Sequence, residues 1–186
     1  MKMTLDDILK LKAVTLYILK ECGEIDYVHL FKILYFAERH HYTTYGKHLV
    51  ADTFYALERG PVPTFLYDAL KANSGTSPAY PLNLIAQSIQ PGGGECYYMV
   101  QAKEEPDMDE LSKAEKASLD LSIKENLSKS SYQLSLDSHD LAWEAAWKSR
   151  HASPIDPILM AKAGGATNGF LEYLKEQEMI NRYFAD

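Results

Sequence analysis

Residues 31–63 constrain this chain more than any other stretch, because they crowd charged, histidine and tyrosine side chains around two turn-forming glycines, Gly46 and Gly60. Just upstream, Asp26 offers a cap oxygen, and Val28, Phe31, Leu34, Tyr35 and Ala37 recur at helical spacing, which predicts a helix to about residue 41. After Gly46 the run 48–57 is richer in β-branched and aromatic residues and predicts a strand, broken by Gly60-Pro61. Pro63 then suits the first turn of a helix through Phe65, Leu66, Ala69 and Leu70, where its missing amide hydrogen costs nothing.

The flanking sequence extends this alternation. Thr4 with Asp6 and Asp7 predicts a capped first helix to about residue 21, stopped by Gly23 in a left-handed conformation. Residues 73–81 read as loop. Gly92-Gly93-Gly94 reads as a hairpin turn before a strand over 96–101, expected to pair with the strand at 48–57 and with a short one near 84–89. Five acids in the seven residues 104–110, around Pro106, predict a solvated linker over about 103–111. Ser112 and Glu115 form a capping box for a helix with Leu119, Ile123 and Leu127 on one face. Helices are also expected from Asp140 to about Lys148, after Asp156-Pro157 and from Thr167 through Phe184. The sum is an α+β chain, mainly α-helical, forming one helical domain over 1–186 with a small antiparallel β-sheet.

Composition narrows the function classes. The formal charge is −7, and its whole excess is C-terminal: residues 1–60 hold 8 acids and 8 Lys/Arg, residues 61–186 hold 18 and 11. Holding nucleic acid by its phosphates needs a concentrated basic face, so general nucleic-acid binding is not expected. No apolar run approaches the ~20 residues that cross a bilayer, and the first residues lack the basic patch and apolar core of a signal peptide. A cytoplasmic protein is the expectation. Cys22 and Cys96 lack the short paired spacing of a zinc or redox site and read as reduced packing residues.

The candidate chemistry is thin. His40 and His41 point about 100° apart on a helix and cannot both grip one ion. Glu38 and His41 have a Glu-x-x-His spacing, but carboxylate-bridged sites need a second copy, which this chain lacks; His139 and His151 could complete such a site only from a distance. Ser138-His139-Asp140 is three consecutive residues, which cannot reach one another as a catalytic triad; Ser138 reads instead as a helix cap and His139 as hydrogen-bonded to the core or a carbonyl. No nucleophile elbow, phosphate loop or zinc-helix motif occurs. No catalytic residue, metal or cofactor is therefore expected, and a metal-dependent hydrolase using Glu38, His41 and His139 is the alternative. Lys32, Glu38, Arg39, Asp52, Glu58 and Arg59 balance in sign, and the sharpest expectation is that Arg39 reaches Asp52 or Glu58 across the helix–strand boundary.

The ordered series Lys32, Leu34, Tyr35, Ala37, Glu38, Arg39, then Tyr45-Gly46, Asp52, Phe54 and Gly60-Pro61-Val62-Pro63 resembles the signature of the Panacea domain, or SocA-like antitoxin family. Ser138, His139 and Trp143 are similar to a second element of that family. The resemblance covers most of residues 1–150. It implies the antitoxin half of a toxin–antitoxin pair, often carried by prophages, that neutralises a cognate toxin by direct contact, some members delivering the toxin to a protease. Lys32, Tyr35, Glu38, Arg39, His40, Tyr45, Gly46, Asp52, Arg59, Gly60, Pro61, Ser138, His139 and Trp143 are then the signature or partner-binding candidates. Only about the last 35 residues are left for choosing the toxin, and a stand-alone phage or host-interaction protein is the other binding reading.

Overall fold

The computed structural model describes residues 3–71, 78–92, 98–150 and 152–183, and of 181 and 182 the backbone only. Helices α1 (Leu5–Cys22), α2 (Tyr27–Tyr45), α3 (Thr64–Lys71), α4 (Asn83–Ser88), α5 (Lys113–Asn126), α6 (Ser131–Asp137), α7 (Leu141–Ser149), α8 (Pro157–Ala163) and α9 (Asn168–Tyr183) surround two small antiparallel sheets. The architecture is α+β and mainly helical, as the alternation of signals in the sequence implies. Among the described residues no helix is long and apolar enough to cross a membrane.

The centre of the molecule is α2. Leu30 through Glu38 are buried without interruption, so this stretch is covered on every side rather than along one stripe. Helices α1, α5, α6 and α8 and the strand over 60–63 supply that cover. Asp26 starts α2 by accepting from the His29 amide at 2.9 Å. Gly46 ends it in the left-handed region at φ 67°, and a Cβ there would also stand 3.1 Å from Leu174 and 3.2 Å from Phe170. Thr4 and Asp7 close a reciprocal capping box on α1, and Ser112 and Glu115 do the same on α5.

The strands depart from the sequence reading. Of 48–57, only β2 (Phe54–Leu57) is a strand, because Glu38 takes up the amides of Leu49 and Val50 before they can join a ladder. Gly60-Pro61 does not end the sheet: it opens β3 (Gly60–Pro63), which pairs with β2 from Phe54↔Pro63 to Leu57↔Gly60 across a two-residue turn. Helix α3 begins only after Pro63. The late strand, β5 (Met99–Ala102), does not meet β2. It pairs with β1 (Ile25–Asp26) and with β4 (Ile89–Pro91), while most of 84–89 is helix α4. The outer side of β2 is instead covered by 153–155, with Ala56 N donating to the Ser153 carbonyl at 2.9 Å and Ile155 N to that of Phe54 at 2.8 Å.

Two further differences concern connections. The acidic stretch 104–110 is tied to α1, by Lys12–Glu104 at 2.6 Å and Lys20–Glu105 at 2.5 Å, and contains a short helical turn at Met108–Glu110. Helix α6 was not expected, since its seven residues carry one buried apolar side chain, Leu134. Leu127, expected on the buried face of α5, sits past its end and is exposed. Gly93, Gly94, Cys96, His151, Phe184 and most of the loop 73–81 lie outside the described residues.

Candidate functional site

Three polar side chains organise the signature region, two of them buried and one, Asp140, half-buried. The first is Glu38, with 1% of its surface exposed. One of its oxygens accepts from His48 Nδ1 at 2.6 Å and the other from the amides of Leu49 at 2.8 Å and Val50 at 3.1 Å. A carboxylate taken out of water needs such donors, and these three pin the irregular run 48–53 onto α2. The His48 ring stacks on Tyr42 at 4.4 Å. Its partial burial works against the charged imidazole, but the hydrogen bond and charge of Glu38, with Glu178 beyond, raise its pKa.

The second is Asp140. Its Oδ1 caps α7 by accepting from the amides of Ala142 at 3.0 Å and Trp143 at 3.1 Å, and its Oδ2 accepts from Tyr35 Oη and Arg39 Nη1, both at 2.8 Å. Arg39 therefore pairs with Asp140 and not with Asp52 or Glu58. The expected partner was wrong because α7, remote in sequence, packs closer to the guanidinium than the neighbouring strand does. Asp52 instead serves the start of α3, where its carboxylate accepts from the amides of Phe65 at 3.0 Å and Leu66 at 2.9 Å. Burial pushes it up to about 6 against the pull of those amides.

The third is Lys32, only 2% exposed, whose Nζ donates to the Pro61 carbonyl at 2.7 Å. Burial lowers its pKa to about 7. The β2–β3 turn closes over it: Gly60 has φ +97°, and a Cβ there would lie 2.3 Å from Ser138 Oγ and 2.9 Å from Lys32 Cε. Ser138, wholly buried, donates to the Ser135 carbonyl at 2.9 Å and does not cap α7, the role taken by Asp140. His139 stacks on Trp143 at 3.7 Å, and Trp143 Nε1 donates to the Leu57 carbonyl at 2.9 Å. Burial, helped by the Lys32 charge, lowers the His139 pKa, and its Nε2 is buried with no hydrogen-bond partner among the described residues.

The signature thus splits by depth. Lys32, Tyr35, Glu38, Asp52, Gly60, Pro61 and Ser138 are interior, Arg39, His40, Gly46, His139 and Trp143 are half-buried, and Tyr45 and Arg59 are exposed. The residues of the hydrolase alternative go to separate partners: Glu38 to His48, His41 to Ser118 at 3.1 Å and His139 to Trp143. Among the described residues no group of three or more His, Cys, Asp or Glu is placed to hold a metal ion. Sequence reasoning passed over Asp140 and His48. The sequence reading gave the cap of α7 to Ser138, and nothing local marked the second oxygen of Asp140 as the acceptor for α2.

Beside Glu38 lies a cleft of about 440 Å³, whose apolar lining comes from Leu49, Val50 and Phe54 and from Ile155, Pro157 and Met160. A second hollow, of about 470 Å³, lies over Phe36, His40 and Asn126, and its cations are committed: Arg39 to Asp140, and Lys129 to Asp137 at 2.9 Å. A family model described as antitoxin SocA-like, Panacea domain, matches residues 30–144. The chain belongs to this antitoxin family. No curated protein and no solved structure matches it. The Panacea match runs from α2 to α7 and so contains the Glu38, Asp140 and Lys32 clusters entire. The Ile155–Met160 wall of the cleft and helix α9 lie beyond it.

Proposed function

We propose that this chain is a protein-binding antitoxin that neutralises a cognate toxin by direct contact and performs no bond chemistry of its own. The observation that carries the reading is how two polar signature residues and the Asp140 that joins them are used. Glu38, Asp140 and Lys32 spend their hydrogen bonds on helix caps, loop amides and a strand carbonyl, which holds a surface rather than a substrate. An antitoxin of this kind needs a rigid complementary face, and α2 welded to the β2–β3 hairpin and α7 provides a rigid support for one.

The test is co-expression with each neighbouring open reading frame. The reading expects one product that arrests growth alone, is harmless beside this chain and co-purifies with it. Harmless neighbours throughout would overturn it, as would rescue from a toxin that never enters a complex and emerges chemically altered.

A further inference from the structure

We infer that the cleft between residues 48–54 and the 155–160 segment seats a basic, apolar segment of the toxin partner, an inference that rests on the antitoxin reading above. At about 440 Å³ the cleft falls in the size range of ligand sites, and its walls are aliphatic and aromatic side chains. The polar groups beneath them already have partners: Glu38 is filled by three donors and Asp52 by two backbone amides. What the cleft offers an incoming chain is therefore apolar contact inside a field of fixed charge.

The sign of that field selects the occupant. Asp7, Glu38 and Asp52 line the cleft, Asp156 stands beside its Pro157, and Glu178 of α9 acts on His48 at its edge. Against Asp7, Glu38, Asp52 and Asp156 stand His48, which is held by Glu38, and Lys10, which is held by Glu115 at 2.8 Å and by the Glu110 carbonyl. An acidic peptide, a nucleic acid or an anionic membrane would meet repulsion here, whereas Lys or Arg flanking Leu, Ile or Phe would meet complementary charge around an apolar seat. The position of the cleft fits a partner-selecting site as well. Its lining from Glu38 to Phe54 falls inside the family-matched residues, and Asp7, Lys10 and the lining from Ile155 to Met160 fall outside them, where sequence can change without touching the Glu38, Asp140 or Lys32 clusters.

The probe is a random dodecapeptide display library panned on the intact chain, with the enriched peptides synthesised and titrated. Two variants accompany the wild type: Ala51→Trp, which fills the cleft from a half-buried loop position, and Glu178→Lys, which reverses one charge at its edge. The expectation is enriched peptides that combine apolar residues with Lys or Arg, bind at least ~10-fold more weakly to a folded Ala51→Trp, and lose ~3-fold on Glu178→Lys or with added salt. Should Ala51→Trp fail to fold, the Glu178→Lys and salt responses decide alone. Acidic or uncharged consensus peptides, undiminished binding to the variants, self-association through the cleft, or no enrichment at all would each overturn the inference. A partner toxin still neutralised at the wild-type level by Ala51→Trp would sink the docking site and leave the antitoxin reading intact. Absence of any toxic neighbour would sink that reading whatever the peptides do.

Discussion

Helices α2 and α9 are of similar length, 19 and 16 residues, and are held in opposite ways. In α2 even the ionisable side chains Lys32 and Glu38 are buried, Lys32 hydrogen-bonded to a strand carbonyl and Glu38 to the amides of a loop. Helix α9 touches the fold through Leu171 and Leu174, which close a small second core with Tyr42 and Ala161, and it leaves Tyr173, Met179, Ile180 and Tyr183 exposed. The difference teaches where each kind of residue matters. Polar groups in α2 set the tertiary structure, while apolar groups on the outer side of α9 contribute little to it.

Removing Glu38 should break that contrast most severely. Glu38→Ala leaves His48 and the amides of Leu49 and Val50 without their acceptor, and we expect a loss of about 3–5 kcal/mol in urea denaturation. A loss no larger than that of a surface substitution would mean the run 48–53 is held by something else.

Lys32 sharpens the comparison through pH. Its folded pKa, about 7, lies below the ordinary 10.5, so the folded chain disfavours the charged form. The penalty is complete below pH 7 and is lifted as pH rises toward 10.5, because in that window the unfolded chain holds the proton that the folded chain has released. Lys32→Met removes the titration. Its stability advantage over the wild type should therefore shrink by on the order of 3 kcal/mol between pH 7 and 10.5. A pH-independent difference between the two would show that the buried amine is not discharged.

The effects on α9 should be smaller and should depend on side. Leu174→Ala, at the second core, is expected to cost about 2 kcal/mol, and Tyr173→Ala, next to it in sequence but half exposed, less than about 0.5 kcal/mol by thermal denaturation. Equal costs would mean that α9 is covered on its outer side.

How much of this was legible in the sequence follows from the range of each interaction. Caps work within one turn, so Thr4, Asp26, Ser112 and Asp156 announced the starts of α1, α2, α5 and α8 correctly. The strand pairing was misread because Gly60-Pro61 is locally a breaker. In the fold Gly60 and Pro61 pair with Leu57 and Ala56, and a glycine fits there because Ser138 and the Lys32 side chain, brought in from elsewhere, leave no room for a Cβ. Arg39 was likewise given the nearest acids along the chain, whereas its partner lies about a hundred positions away on the far side of an unforeseen helix, α6. The family signature could be read as a series of letters, but the fact that most of those letters face inward could not.

The central claim is that the charged signature residues act by coupling elements inside the fold, and a double-mutant cycle on Arg39 and Asp140 tests it most directly. Arg39→Ala and Asp140→Asn, the latter keeping an oxygen to cap α7, should be coupled by about 1–3 kcal/mol in unfolding free energy, while Arg39→Ala with Asp52→Ala should be additive. Additivity within about 0.5 kcal/mol for the Arg39–Asp140 pair would contradict the account.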